Sequence, residues 1–238
     1  MAFGHSNIWV TANDFIVCQL SHWINRKTYK QIRTQSGDYS LKGFDEKKCI
    51  FVHIPKSAGI SVNKALFGNF GGGHMTVKAY KRIFGPVTYR RYFSFTFVRN
   101  PYDRLFSAWN FLRKGGFHEK DRACAAEFIS AYSTFDQFVE GWINEESIWT
   151  KEHFQPQHSF VCDVHDVPEV DFVGKVETID EDFKSICEWL EVKNELEKRN
   201  SSKRDNPNWK SYYSTESMRK VSQLYERDFK LFDYSKEL

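Results

Sequence analysis

Residues 55–61 contain a lysine, two serines and a glycine directly after a short apolar run. The apolar run, residues 49–54, predicts a buried parallel strand, and Pro55 ends it because proline has no N–H to give to a neighbouring strand. Residues 61–67 predict a helix. A polar loop between a strand and a helix N-terminus predicts an anion cradle, since the first helical turn offers free N–H groups and the positive end of the helix dipole.

The order of the residues in this loop decides which kind of phosphate loop it resembles. Lys56 adds a mobile positive charge, Ser57 or Ser61 adds a hydroxyl, and Gly59 lets the backbone come close to a ligand. A Walker A motif, G-x-x-x-x-G-K-[ST], places its lysine after the second glycine, whereas Lys56 precedes the only glycine of this loop. The Walker A motif is therefore excluded.

A second polar stretch follows the next predicted strand. Residues 92–98 alternate and are rich in residues that favour strands, and Arg99 stands at the carboxyl end of that run. Asn100 predicts an N-cap and Pro101 the first position of a helix, which puts Ser107 two turns into that helix. Ligands of open α/β sheets bind at the carboxyl ends of the strands, so both polar stretches should face one rim. A guanidinium there offers fixed, bidentate donors to a phosphate.

These two stretches carry a resemblance to a known family. Residues 53–61 resemble the 5′-phosphosulfate loop of sulfotransferases that use 3′-phosphoadenosine 5′-phosphosulfate, and residues 97–109 resemble the 3′-phosphate motif of the same enzymes. The resemblance is to the branch of Golgi carbohydrate O-sulfotransferases, with heparan 2-O- and chondroitin-type members and bacterial relatives. It extends over about residues 48–234, with further segments in the order of that branch at 153–157, 171–177, 182–183 and 206–213.

The resemblance implies a three-layer α/β, P-loop-like sulfotransferase fold with a central parallel sheet flanked by helices. Residues 47–238 would form the sulfotransferase domain, and residues 1–46 a helical extension that docks on the core or acts as a lid or oligomer contact. The implied co-substrate is 3′-phosphoadenosine 5′-phosphosulfate, without a metal. The implied donor-binding residues are Pro55, Lys56, Ser57, Ala58, Gly59, Ile60, Ser61, Arg99 and Ser107.

Sulfuryl transfer to a hydroxyl needs a general base and stabilisation of the charge on the leaving group. Lys56 is placed to stabilise that charge. Histidine is the usual base, and His74, delivered by the glycines at 71–73, occupies the position of a catalytic histidine in the heparan 2-O-type members. His153 is the rival, and a carboxylate or another group stays possible. His53 follows the strand pattern and is predicted to be a core histidine.

Composition limits the classes of function and partner. The 238 residues suit one α/β domain with an appendage, and a net charge of +3 without a dense basic block predicts no nucleic-acid partner. The five cysteines contain no CxxC pair, which favours neither a disulfide framework nor a zinc site. No run approaches the length of a membrane span and no signal peptide is evident, whereas Golgi members of the family carry a membrane anchor. The sequence alone therefore predicts a cytoplasmic protein, or else a piece excised from a longer one.

Two other functions stay open at this point. A P-loop-type kinase of small metabolites would need a magnesium-binding aspartate after a strand, and Asp171 precedes its strand. A non-catalytic nucleotide-binding protein could keep the same fold. The acceptor of a sulfotransferase would be a sugar hydroxyl or a small alcohol.

The remaining pattern predicts the other elements. We expect a third strand at residues 171–176. Helices are predicted at residues 11–32, 77–84, 101–112, 128–132, 135–143, 179–190 and 214–230. Polar loops are predicted at residues 115–123 and 200–208.

Overall fold

The computed structural model describes residues 8–196 and 208–237, with side chains described from Ile16 onward. The polar loop predicted at 200–208 lies outside the described residues except for Asn208. The strands are β1 (Cys49–Val52), β2 (Phe93–Val98) and β3 (Phe172–Lys175). The helices before β2 are α1 (Ile8–Ile24), α2 (Arg26–Thr34), α3 (Lys42–Lys47), α4 (Gly59–Phe67), α5 (Val77–Phe84) and α6 (Pro86–Arg91). Those after it are α7 (Pro101–Arg113), α8 (Glu119–Phe128), α9 (Phe135–Gly141), α10 (His158–Val161), α11 (Ile179–Trp189), α12 (Thr215–Leu224) and α13 (Glu226–Leu231).

The three strands form one parallel sheet in the order β1-β2-β3. Phe51 lies opposite Phe95, which in turn lies opposite Phe172. All four residues of β1 and the last five of β2 are buried, as the continuous apolar runs predict for strands covered on both faces. The predicted fold class, an α/β fold with a central parallel sheet flanked by helices, is confirmed, and β1 and β2 are neighbours.

Several helix boundaries differ from the predictions. The first predicted helix is two helices that meet at Asn25, and the last is divided at Tyr225. The predicted loop at residues 115–123 is wrong in its second half, because α8 begins at Glu119. Asp121 reaches back to accept hydrogen bonds from the backbone N–H groups of Phe117 and His118, at 3.0 and 3.3 Å, and so stabilises a helix start that has little apolar pattern.

The buried apolar residues form two cores, which are connected at the junction of β2 with α7. The first core packs around the sheet and includes Phe51 and Phe97. The second includes Trp109 of α7 and Phe229 of α13. Because α7 starts directly after β2 and lies in the second core, the carboxyl ends of the central strands face the seam between the two cores.

Candidate functional site

The loop after β1 has the backbone of a tight phosphate loop. Lys56 and Ala58 both adopt the left-handed conformation, with φ of 67° and 60°. Non-glycine residues rarely adopt it, and the strain persists only where the surroundings hold it. Helix α4 starts at Gly59, and no side chain caps its N-terminus. The first N–H groups of α4 therefore have no capping side chain, as the sequence predicts for an anion cradle.

Three side chains hold three consecutive residues of this loop. The Arg104 Nε donates to the Pro55 carbonyl at 2.9 Å, and the Arg99 Nη1 donates to the Lys56 carbonyl at 3.1 Å. The Ser57 hydroxyl donates to the Gln157 Oε1 at 3.3 Å. Arg104 lies on α7, Arg99 comes shortly before α7, and Gln157 directly precedes α10. Contacts from these two segments therefore hold the strained loop in its shape.

Arg99 is a buried residue with several partners. Its Nε donates to the Asp103 Oδ2 at 2.7 Å, one helical turn along α7. The turn itself forms as predicted, because Asn100 caps α7 by accepting from the Tyr102 N–H at 3.0 Å and Pro101 begins the helix. Ser107 is half-buried on the same helix. Arg99 thus joins the two motifs directly, a contact between residues 43 positions apart that the separate sequence patterns do not predict.

Gly59 has a packing role beside the role predicted from the sequence. A Cβ on Gly59 would lie 1.8 Å from the His53 Cδ2, which no side-chain adjustment short of expelling the ring could accommodate. His53 is buried, as predicted for a core histidine. Gly59 therefore makes room for an imidazole that packs beneath the cradle.

The lysine of the cradle lies in a poorly hydrated environment. Burial, followed by the charge of Arg99, lowers the pKa of Lys56 to about 7. The ammonium lies 3.8 Å from the centre of the Phe111 ring, a cation–π contact. An amine that is close to half-protonated at neutral pH gains its full charge when an anion binds beside it.

Three histidines lie in a row at the same rim. The His53 and His74 ring centres are 4.6 Å apart, and those of His74 and His153 are 5.7 Å apart. His153 stacks on Phe111 at 5.3 Å between ring centres. Because Phe111 also contacts the Lys56 ammonium, the histidines and the cradle form one continuous site.

Glu152 lies between the two candidate bases. Its Oε1 is 3.9 Å from the His74 Nδ1 and 3.8 Å from the His153 Nδ1. The neighbouring His74 imidazole is the largest cause that holds the pKa of Glu152 low, at about 2. Burial lowers the pKa of His153 to about 3. At neutral pH this site therefore contains an ionised Glu152 beside a buried, neutral His153.

The structure brings most of the predicted site residues together, with one exception in orientation. The cradle, Arg99, His74 and His153 lie at one rim, whereas the Ser57 hydroxyl points inward to Gln157 and is fully buried. The sequence patterns do not indicate the roles of Gln157, Arg104, Phe111 and Glu152. Gln157 lies in the segment 153–157 that carries part of the resemblance, and Glu152 directly precedes it. That segment is the signal from which the roles of these two residues could have been found.

Within the described ranges 8–196 and 208–237, no group of three His, Cys, Asp or Glu side chains could hold a metal ion. His158 is close to His153 in sequence, but its Nδ1 pairs with the Asp228 carboxylate at 2.7 Å. No helix in the same ranges is both long and apolar enough to cross a membrane.

Comparison with known proteins gives a family match and several relatives. A family model described as "Sulfotransferase family" matches residues 41–235. Carbohydrate sulfotransferase 14 of Mus musculus and that of Homo sapiens are each 30% identical over 120 residues, which cover 44% of this chain and 31% of the relative. Carbohydrate sulfotransferase 12 of Mus musculus is 26% identical over 199 residues, 68% of this chain and 46% of the relative. The chain thus spans a third to a half of the length of these relatives, and no solved structure matches.

The expectation of a cytoplasmic protein is wrong. That expectation separated the chain from the membrane-anchored Golgi enzymes of the family. The relatives that the chain matches are carbohydrate sulfotransferases, the group to which those Golgi enzymes belong. The reason for the error is physical: an anchor is a separate segment from the catalytic fold, so the fold's composition carries no information about it.

Proposed function

Because the chain belongs to the sulfotransferase family and resembles its carbohydrate branch, we propose that it moves the sulfuryl group of 3′-phosphoadenosine 5′-phosphosulfate to a carbohydrate hydroxyl by in-line displacement. The observation that carries the proposal is the direct contact between the two phosphate-binding motifs, from Arg99 to the Lys56 carbonyl. The proposed transferase domain is residues 47–238, with residues 1–46 as an extension before it, of which residues 1–7 lie outside the described residues; the family match reaches back to residue 41.

The residues present fit such a donor. The first turn of α4, from Gly59 to Ser61, and the Lys56 ammonium would hold the 5′-phosphosulfate. Arg99 and Ser107 would hold the 3′-phosphate, and the Asp103 carboxylate orients the guanidinium. Two anionic groups at one rim also account for a lysine and two buried arginines placed together there, since like charges otherwise repel.

When bound, the donor would supply a sulfuryl group bonded to its 5′-phosphate, and that phosphate would gain negative charge as it leaves. In the proposed reaction the chain stabilises that charge with the Lys56 ammonium and the first N–H groups of α4. His74 takes the proton of the acceptor hydroxyl at a ring nitrogen. Glu152, 3.9 Å from the His74 Nδ1, orients the ring and stabilises the imidazolium that forms.

The environment of each histidine supports His74 as the base. His53 is buried directly against Gly59, and burial lowers its pKa well below the ordinary value. His153 is 5% exposed and has a pKa of about 3, so it is a weak base with little access to an acceptor. The side chain of His74 is 28% exposed and therefore open to a substrate.

Sulfation of a carbohydrate panel tests the function. The purified chain is incubated with radiolabelled donor and desulfated glycans, with small alcohols as the alternative acceptors, and the products are read by mass. We expect each glycan product to be heavier by about 80 Da, the mass of one sulfuryl group. A chelator should not lower the rate, whereas it would lower the rate of a magnesium-dependent kinase. Transfer from ATP instead of the sulfated donor, or donor binding without transfer to any acceptor, would contradict the proposal.

Binding of adenosine 3′,5′-bisphosphate should take up protons at pH 8. With a pKa of about 7, Lys56 in the free chain is only roughly one-tenth protonated at that pH. Phosphate beside it favours the charged form and raises its pKa, so uptake should approach about one proton per site. Calorimetry in Tris and in HEPES, which differ in ionisation enthalpy, measures the number.

A lysine on the same loop–helix unit gives the control for proton uptake. Lys64 lies on α4 with its ammonium over Phe70, away from the loop backbone. Lys64→Met should keep the parent's uptake, and Lys56→Met should lose it. Equal uptake in the Lys56→Met variant would mean that another group takes the proton.

A further inference from the structure

We propose that Gln157 is a positioning residue that sets the distance between the two phosphate-binding halves of the site. The inference rests on the proposed function, because it assigns the two halves to the 5′- and 3′-phosphates of one ligand. The sequence marks Gln157 only as the last residue of the segment 153–157, without a role, and its side chain is fully buried.

The amide group of Gln157 contacts both halves at once. Its Oε1 accepts from the Arg99 backbone N–H at 2.9 Å, and its Nε2 donates to the Arg99 carbonyl at 2.8 Å. The same Oε1 accepts from the Ser57 hydroxyl at 3.3 Å. One planar amide therefore satisfies the backbone of the residue that follows β2 and fixes the loop that follows β1.

A buried carboxylate fixes Gln157 in turn. Asp228 of α13 is fully buried, and its Oδ2 accepts from the Gln157 backbone N–H at 2.6 Å. Its Oδ1 accepts from the backbone N–H of His158 at 2.9 Å and pairs with the Nδ1 of that residue at 2.7 Å. The backbone beside the amide is thus held by the helical core, and the amide cannot shift without breaking several buried hydrogen bonds.

A ligand with two phosphates binds tightly because the second contact is intramolecular once the first is made. That advantage depends on the spacing of the two halves, and it is lost when they no longer match the ligand. A residue that only stabilises the fold would affect all ligands alike. A residue that sets the spacing affects the bisphosphate far more than either monophosphate.

The test compares three ligands on the full chain. Dissociation constants of adenosine 3′,5′-bisphosphate, 5′-AMP and 3′-AMP are measured by calorimetry for the parent and for Gln157→Met, which keeps the length of the side chain but removes both hydrogen-bonding ends. Gln157→Glu, which keeps an acceptor for Ser57 but loses the donor to Arg99, serves if the methionine variant does not fold. Gln155→Met is the matched control, since the amide contact of Gln155 among the described residues is a 3.4 Å hydrogen bond to the Trp149 carbonyl.

We expect Gln157→Met to raise the Kd of the bisphosphate by at least about tenfold and that of each monophosphate by less than about threefold. Gln155→Met should change none of them. Equal increases for all three ligands, or an unchanged bisphosphate Kd in a folded variant, would overturn the positioning role while leaving the donor assignment intact. A parent chain that binds the bisphosphate no better than the monophosphates would overturn both.

Discussion

Replacing Lys56 with methionine is expected to lower kcat for sulfuryl transfer by about 10²–10³-fold, the usual loss when a group that stabilises developing charge is removed. The ammonium stands in the strained loop, with its position fixed by the Phe111 ring 3.8 Å away. Methionine is an unbranched side chain only one atom shorter than lysine, but it carries no charge. The loss should therefore appear in kcat at saturating donor, measured with a carbohydrate acceptor.

Lys64→Met separates loss of this one charge from loss of charge in general. Both lysines belong to the same loop–helix unit, but only Lys56 has its backbone carbonyl bonded to Arg99. We expect the Lys64 variant to stay within about twofold of the parent, because surface charges contribute little. If Lys56→Met kept kcat within threefold while proton uptake on bisphosphate binding disappeared, Lys56 would bind the ligand without assisting the transfer.

The strands and the two motifs were predictable because their signals are local. A continuous apolar run followed by Pro55 marks the end of β1, and the Asn100–Pro101 pair marks the start of α7. In a parallel sheet both ends meet at one rim, so the neighbourhood of Lys56 and Arg99 follows from the pattern. The sequence therefore predicted the fold class and the placement of Lys56 and Arg99 at one rim of the sheet.

The contacts that hold the site depend on residues far apart in the chain. Gln157 is 58 residues from Arg99 and 100 from Ser57, and a periodic pattern carries no information on such pairs. For the same reason the sequence suggested a ligand role for the Ser57 hydroxyl, whereas the fold directs it to Gln157. Gly59 is a second case. Its close neighbour is the His53 ring, and this contact follows from the packing beneath the loop, not from the local sequence.

Replacing His74 with alanine is expected to lower kcat by about 10²–10⁴-fold, the range for a lost general base. Its ring is accessible at the rim, and Glu152 lies 3.9 Å from its Nδ1. Affinity for adenosine 3′,5′-bisphosphate should stay within about twofold, because the His74 ring packs on His53 and His153 and is not placed on the proposed phosphate sites. Steady-state kinetics and calorimetry on the same preparation measure both quantities.

His153→Ala is the matched comparison, because the two rings share Glu152 and lie 5.7 Å apart. His153 is buried against Phe111, and with a pKa of about 3 it accepts a proton poorly at neutral pH. Its removal should loosen Phe111 beneath the Lys56 ammonium, so kcat should fall by a smaller factor than in His74→Ala, together with weaker bisphosphate binding. Abolished turnover in His153→Ala, with His74→Ala within threefold of the parent, would assign the base to His153. That result would require the bound acceptor to reach a ring that the free chain covers.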